Sequence, residues 1–175
     1  MTDWCSNRLE VYGDDKELKC FKEKAGGEEY CFDVESFAPY PEVYKILDKG
    51  TFEHMVEWIL HGDKHLESLR KIDRDFTDAE LQIINNSGLD PTRDGFNQGG
   101  YEWCCDNWGT KWPSRESELE EKPGCLIYSF ETAWNPPTPV IVTASLAFPE
   151  LDFILKFWSD GVLKGTMIIR NGKII

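Results

Sequence analysis

Three groups of side chains in this sequence have the types and spacings that chemistry uses. His54, His61 and His65 stand seven and four residues apart, with Glu57 and Asp63 beside them. On one continuous helix they would share a face, and a metal site needs three or four such converging ligands with a supporting outer shell. Gly62 interrupts that helix, and the H-x-x-x-H pair lacks the glutamate that makes H-E-x-x-H informative. A solvated helix face is expected here, with no metal and no cofactor. Cys104-Cys105 forms the second group. A nucleophilic thiol needs a base within reach, and every histidine lies far upstream. C-x-x-C, G-x-x-x-x-G-K and G-x-S-x-G are all absent, and the carboxylates are too scattered to single out an acid/base pair. No catalytic residue is assigned, and the chain is expected not to be an enzyme.

Tryptophan forms the third group. Tyr101–Trp112, Y-E-W-C-C-D-N-W-G-T-K-W, places Trp103, Trp108 and Trp112 in one short run. Indoles bury large apolar areas while their N–H still needs a partner. Residues 108–112 read as a strand, on which Lys111 points away from Trp108 and Trp112 and pairs with a glutamate. For Trp4, Trp108, Trp112 and Trp134, core and edge packing is the favoured reading, and an aromatic patch that grips a partner is the alternative.

The elements that must position these groups follow from periodicity. Residues 4–13 alternate, with Leu9 and Val11 on one side and Arg8, Glu10 and Tyr12 on the other: a half-buried strand. Asp14 or Asp15 caps a helix carrying Leu18, Phe21 and Ala25, which Gly26-Gly27 stops. Pro39 and Pro41 mark a loop into a region of different composition. There Phe52 to Leu60 form a helical stripe, Leu66, Leu69 and Ile72 continue in a second phase, and Thr77 with Glu80 forms a capping box. Residues 91–100 read as a loop. Pro113–Pro123, with four glutamates, reads as an exposed connection. Residues 125–132 give a strand, and Thr138 with Pro139 opens a helix that Pro149 ends. Strands at 151–158 and 162–169 follow, and Asn171-Gly172 signals a type I′ hairpin.

Without the inserted region the order is β-α-β-β-α-β plus one hairpin strand. That is an α+β, ferredoxin-like antiparallel sheet with two packed helices and a helical insertion after the first helix. The expected division is a ferredoxin-like domain of residues 1–32 and 101–175, with residues 33–100 as the insertion.

Three motifs are similar to those of a known family. Trp4-Cys5-Ser6-Asn7-Arg8-Leu9 resembles the N-W-C-x-N opening of the YubB-like, ferredoxin-fold proteins of plasmids and phages. Asn107-Trp108-Gly109-Thr110-Lys111-Trp112 resembles its N-W-G-T-K-W motif, and Phe130 to Pro137 its F-x-T-A-W-x-P-P motif. The three occur in the family's order. Asp3 stands where the family usually has Asn, and Asn135 where Ser is common. The resemblance implies the fold and a mobile-element origin, and it implies no catalytic residue.

Charge bounds the partner. The 175 residues carry a formal net charge of −13 with 41% hydrophobic residues. A chain this acidic is repelled by nucleic-acid phosphate unless basic groups are segregated on one face, and no Lys/Arg cluster is visible, so no direct nucleic-acid contact is expected. The six cysteines are irregularly spaced, which suits reduced thiols. The start has no signal-peptide pattern and no stretch spans a membrane; the host-cell cytoplasm is the expected compartment. These features together suggest a non-enzymatic phage or plasmid protein that blocks a host defence or nucleic-acid-binding protein with a basic surface. Glu53, Glu57, Asp63, Glu67, Asp73, Asp75, Asp78 and Glu80 are the expected contact residues. The alternative is a small hydrolase or nucleotide-modifying enzyme with a site between insertion and sheet.

Overall fold

The computed structural model describes residues 3–27, 30–49, 76–159 and 163–175. Strand β1, Trp4–Tyr12, leads to helix α1, Asp15–Ala25. Helices α2, Glu42–Asp48, α3, Asp78–Ser87, and α4, Gly100–Asn107, follow. Strands β2, Arg115–Lys122, and β3, Cys125–Ala133, precede helix α5, Thr138–Ala147. Strands β4, Asp152–Ser159, β5, Leu163–Arg170, and β6, Lys173–Ile174, complete the order. The six strands form one antiparallel sheet in the order β2-β3-β1-β4-β5-β6. Setting β5 and β6 aside leaves βαββαβ with β1 between β3 and β4, which is the ferredoxin-like arrangement.

The chain divides into two compact units, Met1–Pro39 with Glu102–Ile175, and Tyr40–Tyr101. In the first, Cys5, Asn7, Leu9 and Val11 point to the helix-covered side and are buried. Their cross-strand neighbours Thr132, Phe130, Tyr128 and Leu126 on β3 and Phe157, Leu155 and Phe153 on β4 are buried with them. Phe21 of α1 is the hub: its ring lies 5.2 to 5.9 Å from those of Phe37, Tyr128, Phe148 and Phe153. Asp14 starts α1 by accepting from the backbone N–H of Lys16 and Glu17. Phe37 belongs to this cluster, and so residues 33–39 pack with the sheet.

In the second unit, Ile46 and Leu47 of α2 and Ile84 of α3 are buried together, with Val43, Phe76 and Leu89 around them. Thr77 and Glu80 form the capping box. Gly88 ends α3 at φ +73. The helices expected at 52–60 and 66–72 lie outside the described residues.

Two expected elements are corrected. Residues 108–112, expected as a strand, are irregular, and Pro113–Pro123, expected as an exposed connection, contains the edge strand, the glutamate-rich β2. Its side chains alternate between half-buried and exposed from Arg115 to Glu120, and an edge strand tolerates charge because one of its sides faces solvent. Residues 101–107, to which periodicity assigns no element, are the body of α4. That helix lacks a polar N-cap signal because Gly99, at φ +116, turns the chain into it.

β1 donates and accepts along both edges, so a segment lacking it would split the sheet into β2-β3 and β4-β5-β6. Residues 107–175 expressed alone are expected to show no cooperative unfolding by far-UV circular dichroism. Cooperativity should return when residues 1–39 are restored to the same chain.

Candidate functional site

The three sequence motifs meet at one corner of the sheet. Asn7, only 1% exposed, donates from Nδ2 to the Cys5 carbonyl and to Thr132 Oγ1, both at 2.9 Å. Thr132 Oγ1 donates in turn to the Asn135 carbonyl at 2.7 Å. Thr110 Oγ1 donates to the Ala133 carbonyl at 2.9 Å, and Trp108 Nε1 to the Ala38 carbonyl at 2.7 Å. Gly109 sits at φ +82, and a Cβ there would stand 2.5 Å from Pro139 Cδ. Buried polar groups are costly unless satisfied, so these bonds fix the corner's backbone.

That frame holds a ladder of indoles and cations. The Arg115 guanidinium lies 3.4 Å over the Trp4 ring, and Trp4 lies 6.1 Å from Trp112. Lys111 Nζ sits 4.0 Å from the Trp112 centroid and 3.7 Å from that of Trp134. Lys111 therefore does not point away from its tryptophans: it is not on a strand, and it pairs with ring faces rather than with a glutamate. Trp112 is 38% exposed, Trp134 43% and Trp158 48%. Trp134 adopts φ +70, a conformation a bulky residue takes at a cost of about 1–3 kcal/mol. Its N–H is held by the Asp3 carbonyl at 2.9 Å.

The strand register extends this corner across the face of the sheet away from the helices. Opposite Ser6 stand Glu131 on β3 and Trp158 on β4; opposite Arg8 stand Ser129 and Lys156. Arg115 Nη2 pairs with Glu131 at 2.7 Å. Glu10, 6% exposed, accepts from Arg8 at 3.0 Å, from Lys156 at 2.7 Å and from the Tyr12 hydroxyl at 3.0 Å. Burial alone would raise the Glu10 carboxyl, but the hydrogen bonds from Lys156, Arg8 and Tyr12 outweigh it and hold the group down at about 2. The same bond to Glu10 pushes the Tyr12 phenol up to about 12. Neither value lies near neutrality, where general acid–base groups work best. This cluster holds charge in place.

Of the expected contact residues, Glu53, Glu57, Asp63, Glu67, Asp73 and Asp75 lie outside the described residues, as do His54, His61 and His65. Asp78 is exposed in the first turn of α3. Glu80 is engaged by Thr77 and by Lys49, whose hydrogen bond is the main cause holding its carboxyl down at about 2. It is occupied in capping its own helix. Cys104 is buried and Cys105 half-buried on α4. Among the described residues no three His, Cys, Asp or Glu side chains gather as a metal site would require, and no helix is long and apolar enough to cross a membrane. Sequence reasoning passed over Arg8, Lys156 and Arg115. The alternation of Arg8, Glu10 and Tyr12 signalled one shared face, but Lys156 enters only through the β1–β4 register.

Fold and register define a ferredoxin-like α+β protein. Comparison with known proteins agrees: residues 107–175 match the family model described as the ferredoxin-like domain in Api92-like protein. Among solved structures, the chain is similar to protein api92 from Yersinia pseudotuberculosis, with a TM-score of 0.56 and 13% identity. That likeness covers 100% of this chain and 96% of the other. No curated protein matches the chain.

Two outcomes are expected. The folded Glu10 carboxyl lies below its ordinary value of 4.5, so its stabilisation is fully present above that pH and is lost as pH falls toward about 2. Urea unfolding of Glu10→Gln should give about 2–3 kcal/mol lower stability at neutral pH, the worth of charged hydrogen bonds. The variant should also show a flatter acid limb than the parent. Gly109→Ala should lose about 2 kcal/mol or more, since it adds both a clash and a disfavoured φ; thermal melts read this directly.

Proposed function

We propose that this chain is a non-enzymatic binding protein of a phage or plasmid that occludes a host protein by direct contact. The host protein is a defence or nucleic-acid-binding factor, such as a CRISPR or restriction effector. The observation that carries this reading is the exposed indole corner. Trp112, Trp134 and Trp158 leave large apolar area in solvent on a frame locked by buried hydrogen bonds. Tryptophan and arginine dominate binding hot spots, and a rigid contact surface loses little entropy when a partner arrives.

Two further features support it. The net charge of −13 favours encounter with a basic surface. The resemblance of the three motifs to the YubB-like proteins of plasmids and phages supports a mobile-element origin, and it is these motifs that build the corner. The carboxylates of residues 33–100 then serve long-range attraction, and the indoles serve the close contact.

The test is a comparative capture from host lysate using the parent chain, Trp134→Asn and Trp158→Ala. Asparagine tolerates the left-handed backbone that tryptophan strains, so Trp134→Asn should melt no lower than the parent. A host protein held by the parent and released at least tenfold by either variant would bear the proposal out. Equal retention by all three would remove the corner from the contact, and capture of nothing by the parent would remove the proposal.

A further inference from the structure

We infer that Lys111 is the receptor for a carboxylate on the partner: an aspartate or glutamate side chain next to an apolar residue. The inference rests on the corner's being a contact surface and names what the corner recognises. In the sheet-containing unit four cationic side chains are half-buried: Arg8, Lys111, Arg115 and Lys156. Arg8 and Lys156 both hold Glu10, and Arg115 holds Glu131. Lys111 differs. Its ammonium lies between the faces of Trp112 and Trp134, and among the described residues no carboxylate comes within ion-pair distance of it. The sequence holds 32 carboxylates against 19 lysines and arginines, so an internal partner was abundantly available.

Ring faces do not complete this charge. A cation–π contact is worth about 0.5–1 kcal/mol at an exposed site and supplies no hydrogen-bond acceptor to the ammonium's three donors. The rings flank the group and leave its remaining donors for an acceptor from outside. They also hold the long side chain in place beforehand, which lowers the ordering cost that a free lysine meets on binding. Trp134, at φ +70, supplies the second ring, 3.7 Å from the Lys111 ammonium. An incoming carboxylate would gain charge-assisted hydrogen bonds, and an adjacent apolar side chain would cover the exposed indole surface. One acidic residue within an otherwise basic partner surface would then fix the register of docking.

The test needs no identified partner, so its failure is separable from that of the capture experiment. Indole N–H resonances of Trp112 and Trp134, assigned through Trp→Phe variants, are followed by NMR during titration with N-acetyl-Glu-Leu-amide. The isosteric N-acetyl-Gln-Leu-amide, inorganic phosphate and adenosine monophosphate are titrated in parallel. Saturable shifts with the glutamyl peptide are expected, at least fivefold weaker with the glutaminyl peptide, lost in Lys111→Met and retained in Lys111→Arg. The Trp158 signal should stay fixed. No saturable shift, equal response to both peptides, or an unchanged response in Lys111→Met would overturn the inference. Tighter binding of phosphate or the nucleotide would also overturn it, and would assign the corner to a nucleotide ligand instead.

Discussion

The full pairing of β1 on both of its edges is the constraint from which the rest of the structure follows. Residues 4–12 bond to β3 along one edge and residues 5–12 to β4 along the other, so elements far apart in the chain become neighbours. Because side chains alternate along a strand, this one segment sets two surfaces at once. Leu9 and Val11 enter the aromatic core around Phe21, while Trp4, Arg8, Glu10 and Tyr12 define the centre of the opposite face. Asn7 is the exception on the core side, and its amide is satisfied by Cys5 and Thr132. A wrong register by one residue would exchange the two surfaces and leave that amide and the Glu10 carboxylate without their partners.

The corner shows how a buried polar frame supports an exposed apolar display. Thr110, Thr132 and Asn7 are nearly inaccessible and hydrogen-bonded, whereas the indoles of Trp112 and Trp134 remain in solvent. The arrangement is the reverse of the common expectation for a tryptophan-rich run, in which the rings enter the core and the polar groups remain outside. Trp108 does behave that way, buried with its N–H on the Ala38 carbonyl. The difference lies in Gly109, whose positive φ turns the chain between Trp108 and Lys111 so that one indole goes inward and the next outward.

The two side edges of the sheet are managed differently. β2 carries Glu116, Glu118, Glu120 and Glu121 and is bulged between Arg115 and Glu118, devices that discourage pairing with another chain. At the far edge β6 covers the end of β5 through Ile169 and Arg170, and the Ile175 N–H reaches the Ile168 carbonyl. The acidity that separates charge classes at the level of composition thus has a local structural use at β2.

The amino-acid sequence by itself determined the fold class and most elements, because strand alternation, the Asp14 cap, the Thr77–Glu80 box and the Asn171-Gly172 turn are local signals. That turn has both residues at positive φ, as its type requires. β2 was hidden because an edge strand rich in glutamate has the composition of a loop, and α4 because a glycine entry gives no cap to read. The corner was legible only as three separate motifs. Its ladder of Arg115, Trp4, Trp112, Lys111 and Trp134 was decided by the tertiary structure. Ring stacking and ion pairing depend on register between segments more than a hundred residues apart in the chain, and no periodicity within one segment records which neighbour lies across the sheet.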